Sequence, residues 1–410
     1  MIPTARWAPE EGAAQIASIV GEEHVQLRGN SVLAAPGETK QIAGVLRLAQ
    51  ENGLAVMATG GGTKLGWGHR VTPAIELSLR RLERLREHAW QDLTCTVEAG
   101  LRWQTMQTEL ARHGQMVCLD PLWPEQASVG GIVATNDNGA LRFKYGGLRD
   151  LIIGMTVVLA DGTIARTGGK VVKNVAGYDL HKLMTGSFGT LAVIAEVNFR
   201  LHPIEQRART WTFSSPEAGT GASAFAEPLR ALRDSHMTPS SVQMRASQGT
   251  CAVDVRFAGA PAHLEECALR IGKIFDGCVA SESNHEVWGA RQQLFEKRDC
   301  VVVKISALPN QVCSLCAELQ DSGDVSIVAQ AHGIVTAAID PKDAESSIER
   351  LRARLSPAGG SAVVLQLPET LRAGIDVWGP VSGTLPLMQE IKRRFDPSRV
   401  LSPGRFWGNI

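Results

Sequence analysis

The sequence predicts an α+β fold divided into more than one domain. Its 410 residues exceed what one core usually covers. Segments of helical spacing alternate with short apolar runs from residue 9 to residue 201. Beyond residue 204 the alternation continues, and it suggests an antiparallel sheet with helices on one face.

Taken in order, residues 9–20 read as a short amphipathic helix. Pro36-Gly37-Glu38 opens a second helix through Asn52, which Gly53 ends. A strand at 54–59 follows, then strand-like runs at 74–79 and 94–98. Trp103, Met106 and Leu110 give Arg102 to His113 a helical face. Leu151 to Ala160, the turn Asp161-Gly162 and the run from Thr163 to Thr167 read as a hairpin, and a last strand reaches Leu201 before His202-Pro203. Ser214-Ser215-Pro216-Glu217 to Gly221 reads as a linker or loop. Helices are expected at 222–235, 261–275, 284–296, 309–320 and 342–355. Strands are expected at 241–245, 251–257, 300–306, 325–330, 334–339 and 361–367.

Composition excludes several function classes. Lys+Arg and Asp+Glu both number 42, so the formal charge is zero and no long-range field draws nucleic acid or anionic lipid. The longest strongly apolar run, Leu151 to Ala160, falls far short of a membrane span. The start, Met1 to Trp7, lacks the basic-then-apolar pattern of a signal peptide, so the expected location is cytoplasmic. Eight scattered cysteines in a chain of this size suggest reduced thiols used as core filler. Cys313-x-x-Cys316 has metal-like spacing, but it lies in an apolar helical stretch with no second pair. No four-cysteine run could hold an iron–sulfur cluster, so any such cluster comes from a partner.

Residues 57–68 are the most informative stretch, with five glycines among the nine positions 60–68, directly after the apolar run from Leu54. Glycine lacks Cβ, so this loop can take positive φ and turn a row of backbone N–H groups toward an anion such as a diphosphate. A tight surface turn would read the same way. The loop matches neither G-x-G-x-x-G nor G-x-x-x-x-G-K-[ST]. The second stretch, 120–139, pairs small hydroxyl and amide side chains with glycines in Ala127-Ser128-Val129-Gly130-Gly131-Ile132-Val133-Ala134-Thr135-Asn136. It reads as a long loop, and a loop that long inside a compact domain is usually functional. The third runs from Gly168-Gly169-Lys170 through Leu183 into Gly186-Ser187-Phe188-Gly189-Thr190-Leu191.

In order and spacing, these three stretches resemble the FAD-binding domain of the vanillyl-alcohol-oxidase/p-cresol-methylhydroxylase (PCMH) family. The resemblance implies a two-part FAD-binding PCMH-type domain over 1–203, an antiparallel-sheet cap domain over 204–383, and a C-terminal helix and tail over 384–410. It implies that Gly60, Gly61, Gly62, Thr63, Lys64 and Leu65 wrap the FAD diphosphate through backbone N–H groups. Ser128, Gly130, Gly131, Thr135 and Asn136 would line the diphosphate and flavin side, with Gly189 to Ile194 beside the cofactor. Relatives with covalent flavin often carry the linking histidine in or near the glycine loop. Here Thr63-Lys64 follow the glycines and His69 comes later, so the FAD is expected to be non-covalent.

The tail, from Leu385 through Asp396-Pro397 to Leu401-Ser402-Pro403-Gly404-Arg405-Phe406, is similar to the closing segment of the D-2-hydroxyacid dehydrogenase branch. Active members hold the substrate carboxylate with basic side chains and use a metal on histidines and a carboxylate to acidify the hydroxyl. Arg291 and Lys304 stand near the family's substrate-binding arginine and lysine, and are the catalytic candidates. Arg291 reads equally as a solvated helix residue, whereas the apolar strand around Lys304 favours a functional role.

The family's metal motif, His-x-Gly-Asp-Gly-Asn-x-His, is replaced by Ala331-His332-Gly333-Ile334-Val335-Thr336-Ala337-Ala338, and its Glu-His-Gly by Val377-Trp378-Gly379 after Asp376. One ligand does not make a divalent site, so no metal is expected. With that departure, Asp376-Val377-Trp378-Gly379-Pro380 and the tail resemble the metal-lacking subunit class of bacterial glycolate dehydrogenases (glycolate oxidases). The resemblance implies an FAD-binding subunit that supports electron transfer or assembly, with weak chemistry of its own. Its partners would be a paralogous FAD/metal dehydrogenase subunit and an iron–sulfur subunit, with the membrane's inner face reached only through them. Trp378, Arg405 and Trp407 are expected anchors of such an interface. A stand-alone FAD-dependent dehydrogenase of a hydroxy acid or other alcohol, and a flavin-free scaffold, remain alternatives.

Overall fold

The computed structural model describes residues 7–169, 178–215, 221–247, 249–297, 299–380 and 383–410. Mixed helix and sheet separate into two compact units. The first holds the chain up to Asp137, Gly147–Ile204 and the C-terminal segment; the second holds Asn138–Gly146 and Glu205–Pro380.

The first unit has two main sheets and a two-stranded pairing of Gln115–Met116 with His202–Pro203. A four-stranded sheet runs in the order Val25–Arg28, Ser31–Ala34, Ile75–Ser78, Val56–Thr59. Its first pair is an antiparallel hairpin and the remaining pairings are parallel. The helices Pro9–Val20 and Thr39–Glu51 bury Ile16, Val20, Ile42, Val45 and Leu46 in the core of this unit. Thr39–Glu51 ends where Gly53 turns into the left-handed region at φ 64°. An antiparallel five-stranded sheet follows, ordered Leu85–Ala89, Thr94–Glu98, Val193–Arg200, Ile152–Val158, Ile164–Gly168. Its interior strand Ile152–Val158, fourth in that order, is buried throughout, as its largely apolar run dictates.

The C-terminal segment corrects the expected division, because it is part of this first unit rather than a separate tail. The helix Leu385–Phe395 stops at Asp396, ahead of Pro397, and the chain then runs beside Val56. Val56 N donates to Val400 O at 2.8 Å, and Ser402 N donates to Val56 O at 2.9 Å. The edge strand that leads into the glycine loop thus gains its missing partner from residues 400–402.

The second unit is built on one antiparallel eight-stranded sheet, ordered Val279–Ser283, Ala208–Ser214, Thr250–Ala258, Ser241–Ser247, Val325–Gln330, Ile334–Ile339, Val301–Ser306, Ser361–Gln366. One face supplies Phe213, Met244, Val253, Val255, Val303 and Ile327 to a core shared with Pro261–Ile274, Val312–Asp321 and Pro341–Leu355. Because side chains alternate along a strand, the other face carries Thr212, Gln243, Asp254, Lys304 and Gln330. On it, fully buried Asp254 accepts from Arg245 Nε and Nη2 at 2.7 and 2.8 Å, Gln243 Nε2 at 2.9 Å and Thr212 Oγ1 at 2.7 Å.

Three differences from the sequence reading have local causes. The segment expected to be helical over 284–296 is a 3₁₀ turn, His285–Gly289, and a single turn of helix, Ala290–Gln293, started by the Asn284 side chain accepting from Glu286 N. The 120–139 stretch is not all loop, since Val129–Thr135 is a helix capped by Ser128. The strands Val25–Arg28, Leu85–Ala89 and Val279–Ser283 escaped notice because they are short edge strands with largely exposed faces. Within the proposed linker, Ser214 ends the strand Ala208–Ser214, while residues 216–220 lie outside the described residues. The same holds for residues 170–177 of the third glycine-bearing stretch.

Candidate functional site: a glycine-walled cleft and a cation-ringed histidine

The strand Val56–Thr59 feeds directly into the glycine loop, and the loop packs backbone to backbone on residues 126–130. A Cβ on Gly60 would stand 2.0 Å from Ser128 Oγ, and one on Gly61 would stand 2.0 Å from the Gln126 carbonyl oxygen. Ser128 Oγ accepts from Gly61 N and from Gly131 N, both at 3.3 Å, so one hydroxyl joins the loop to the helix Val129–Thr135. Gly62 (φ 79°) and Gly189 (φ 72°) wall the same cleft, with no neighbour closer than 3.8 Å to where a Cβ would stand. Side chains there would fill the space that the glycines leave.

The cleft and the solvent at its mouth together amount to about 690 Å³. Gly60, Gly61, Gly62, Thr63, Lys64, Leu65, Ser128, Gly130, Gly131, Thr135, Gly189 and Ile194 all line it. Asn136 is not among them. It caps the helix Val129–Thr135 in the left-handed region at φ 49°, a conformation its short amide side chain tolerates. Thr135 Oγ1 donates to Gly131 O at 2.8 Å, so its hydroxyl proton stays within the helix. Lys64 also turns inward. Its Nζ donates to Leu122 O at 3.2 Å, pairs with Asp137 Oδ2 at 3.4 Å and lies over the Trp123 ring. Its ammonium is therefore a structural group, and the loop faces the cleft as backbone.

Among the cleft residues that sequence reasoning missed are Phe188 and Arg405. The C-terminal face that carries Arg405 was expected to pack against the cap or to join a partner, and Arg405 is only 6% exposed. Its Nη2 donates to Lys64 O at 3.3 Å, its guanidinium lies 5.9 Å from the Phe188 ring, and burial pulls its pKa down to about 10. Trp378 and Trp407, the other expected anchors, are half-buried, and Trp378 packs against the core of the second unit. The basic residue after Pro403-Gly404 was a legible signal that the glycine loop overshadowed. His69 lies beside the tail, with Nδ1 3.2 Å from Gly404 O, and it does not line the cleft.

The second unit holds the two catalytic candidates in one cluster. His332, in the turn between Val325–Gln330 and Ile334–Ile339, has neither ring nitrogen hydrogen-bonded. Burial, and the charges of Arg142, Arg291 and Lys304, pull its pKa down to about 4. Arg291 Nη1 donates to Asn138 O at 2.7 Å, which makes it a placed residue rather than a solvated one. Arg142, from the Asn138–Gly146 insertion, was not anticipated, although it follows directly on the glycine-rich stretch. Gln330, 2% exposed, has a carbonyl oxygen with no partner. Buried polar atoms in native folds are usually satisfied, so these orphaned atoms set the turn apart as a polar site. Asp376 has become a turn residue, its Oδ1 accepting from Trp378 N at 2.8 Å and Gly379 N at 3.3 Å. Cys313 and Cys316 lie in the apolar core of the second unit, where burial raises Cys313 to about 11 and holds Cys316 well above its ordinary value.

Residues 31–168 match the family described as FAD binding domain. Similar proteins include a D-lactate dehydrogenase of Archaeoglobus fulgidus, 37% identical over 42% of this chain and 39% of its own length. The glycolate oxidase subunit GlcD of Bacillus subtilis is 35% identical over 43% of this chain and 38% of its own. The chain thus spans about two-fifths of the length of these relatives. The solved structure of 4-ethylphenol oxidase from Gulosibacter chungangensis superposes at a TM-score of 0.75, covering 99% of this chain and 98% of that one. At 15% identity this shows the fold alone. Residues 31–168 are thus similar to an FAD-binding domain, and the glycine-walled cleft, with its cradle of missing Cβ atoms, fits that cofactor. A flavin-free scaffold would have no use for such a cleft.

Proposed function

We propose that this chain is an FAD-dependent oxidoreductase component acting in 2-hydroxyacid oxidation, specifically the metal-lacking E subunit of a multi-subunit glycolate dehydrogenase. FAD would be held non-covalently by Gly60–Leu65, Ser128, Gly130, Gly131, Thr135, Gly189 and Ile194. The displacement of His69 from the cleft supports the non-covalent reading. Bound there, FAD supplies a two-electron acceptor.

The observation that carries the substrate class is the cluster around His332. Arg142, Arg291 and Lys304 suit a carboxylate, because its negative charge would offset the three positive charges that act on one histidine. The same three charges oppose a divalent cation at His332. His332 is neutral at pH 7, so it can accept a hydroxyl proton or hold that hydroxyl by a hydrogen bond. Gln330 Oε1 is a second acceptor.

A weak dehydrogenase that depends on a paralogous metal-bearing subunit and an iron–sulfur subunit accounts for the altered metal motif. Similarity to a glycolate oxidase subunit supports the complex. The complex would be cytoplasmic and would meet the membrane only through those partners; no described helix is long and apolar enough to cross one. A stand-alone dehydrogenase is the second reading, favoured by the intact cation cluster. Purified chain should bind oxalate, a dicarboxylate mimic, and Lys304→Met or Arg291→Met should weaken this by roughly tenfold or more each. Glycolate-dependent dye reduction should rise when the partner subunits are added. Full activity alone would favour the second reading, and absence of any carboxylate binding would remove the substrate assignment.

A further inference from the structure

We propose that the C-terminal segment is a working wall of the FAD cleft, in which Arg405 supplies the positive charge that meets the FAD diphosphate and the buried Lys392–Asp396 pair holds it in place. The inference rests on the reading of the glycine-walled cleft as an FAD site.

The glycine loop presents backbone to the cleft, since the ammonium of Lys64 is turned toward Leu122 O and Asp137. Arg405 lines the cleft and touches the loop, donating from Nη2 to Lys64 O, and its guanidinium lies 5.9 Å from the ring of Phe188, another cleft residue. A buried guanidinium is costly unless an anion or acceptors meet it. Its planar fork suits phosphate oxygens better than any other side chain.

The position of Arg405 is set by a chain of buried contacts. Lys392 Nζ donates to Thr190 O at 2.7 Å, to Asp396 Oδ2 at 2.6 Å and to Leu401 O at 2.9 Å. Asp396 in turn accepts from Val400 N at 2.9 Å and Leu401 N at 2.8 Å. Leu401 is therefore gripped from both sides. Ser402 N then pairs with Val56 O, and Arg405 N with Ser402 O at 3.2 Å. Thr190 closes the turn that brings Phe188 and Gly189 to the cleft. One ammonium thus ties together the turn that walls the cleft and the strand that carries its cation. Lys392 is 4% exposed and Asp396 fully buried, so neither partner has water to fall back on. They are positioning residues, and Arg405 is the contact.

The test uses the full chain, stripped of flavin, with FAD affinity measured by quenching of flavin fluorescence across a range of salt concentrations. Wild type should bind FAD with a clear salt dependence, because a cation–phosphate contact is screened. Arg405→Met should weaken FAD by roughly 10- to 100-fold and flatten the salt slope. Arg405→Lys should restore the slope and part of the affinity, a rescue that a purely structural role would not give. Asp396→Asn should weaken FAD in the same direction. The double replacement Lys392→Leu with Asp396→Leu, which leaves no lone buried charge, should fold and still lose affinity. An unchanged salt slope in Arg405→Met, or an affinity within about threefold of wild type, would overturn the proposal. If wild type binds no FAD at all, the reading of the cleft fails first, and that result is distinct.

Discussion

His332 makes acid sensitivity of the second unit a measurable consequence of the cation cluster. Its imidazole pKa falls from 6.5 in the unfolded chain to about 4, through burial first and then Arg142, Arg291 and Lys304. Between those values the unfolded state binds a proton that the folded state refuses, so stability rises with pH across that window and is lost as pH falls through it. At 1.36 kcal/mol per unit, the full interval corresponds to roughly 3 kcal/mol, present above pH 6.5 and absent below pH 4. The perturbation is His332→Asn, which keeps a polar side chain of similar size and removes the titration. Urea unfolding of both proteins at half-unit pH steps, followed by probes in the second unit, gives the difference free of all other titrations. Wild type should lose up to about 3 kcal/mol relative to the variant between pH 6.5 and 4. Saturating oxalate should shrink that loss, because a bound carboxylate offsets the three cations. Parallel pH profiles for the two proteins would refute the cation-ringed arrangement.

Other expectations follow from single side chains. Gly61→Ala drives a methyl into the Gln126 carbonyl, so it should lower stability and FAD content together. Gly131→Ala instead meets only Ser128 Oγ at 3.3 Å, so it should cost FAD affinity while the apoprotein gains about 0.5–1 kcal/mol of helix preference, read by thermal unfolding with and without FAD. Asp254→Ala leaves Arg245 beside an emptied buried site and should cost roughly 3–5 kcal/mol in urea unfolding. Cys313 and Cys316, protonated at pH 8 and buried, should react with a thiol reagent only at the rate at which the second unit opens, and added zinc should not change that rate.

The elements legible in the sequence were those whose apolar periodicity is their own. Pro9–Val20, Thr94–Glu98, Val325–Gln330 and Ile334–Ile339 fall where spacing alone puts them. The helix Val129–Thr135 was hidden because Gly130 and Gly131 are poor helix formers, and tertiary packing of Gly130 against Ala99 decides the matter. For the candidate site, glycines in sequence marked the cleft well, since lost Cβ atoms are a local signal. The rest of the site depends on contacts between distant positions. Arg405 reaches Lys64 across 341 residues, and Arg142 acts on His332 from an insertion. No local pattern records such a meeting.

The pairing of Val56 with Val400–Ser402 has a consequence for how the protein is made. During synthesis at roughly 5–20 residues per second, about 17–70 s separate the emergence of the glycine loop from that of Arg405. Throughout that interval the edge of Val56–Thr59 lacks its closing neighbour, and an open strand edge invites the wrong partner. Loading with FAD is then a late event, one that waits for the far end of the chain to arrive. Over-expressed chain starved of flavin should accordingly accumulate as a nearly folded form whose last-made segment is the first to be clipped by protease.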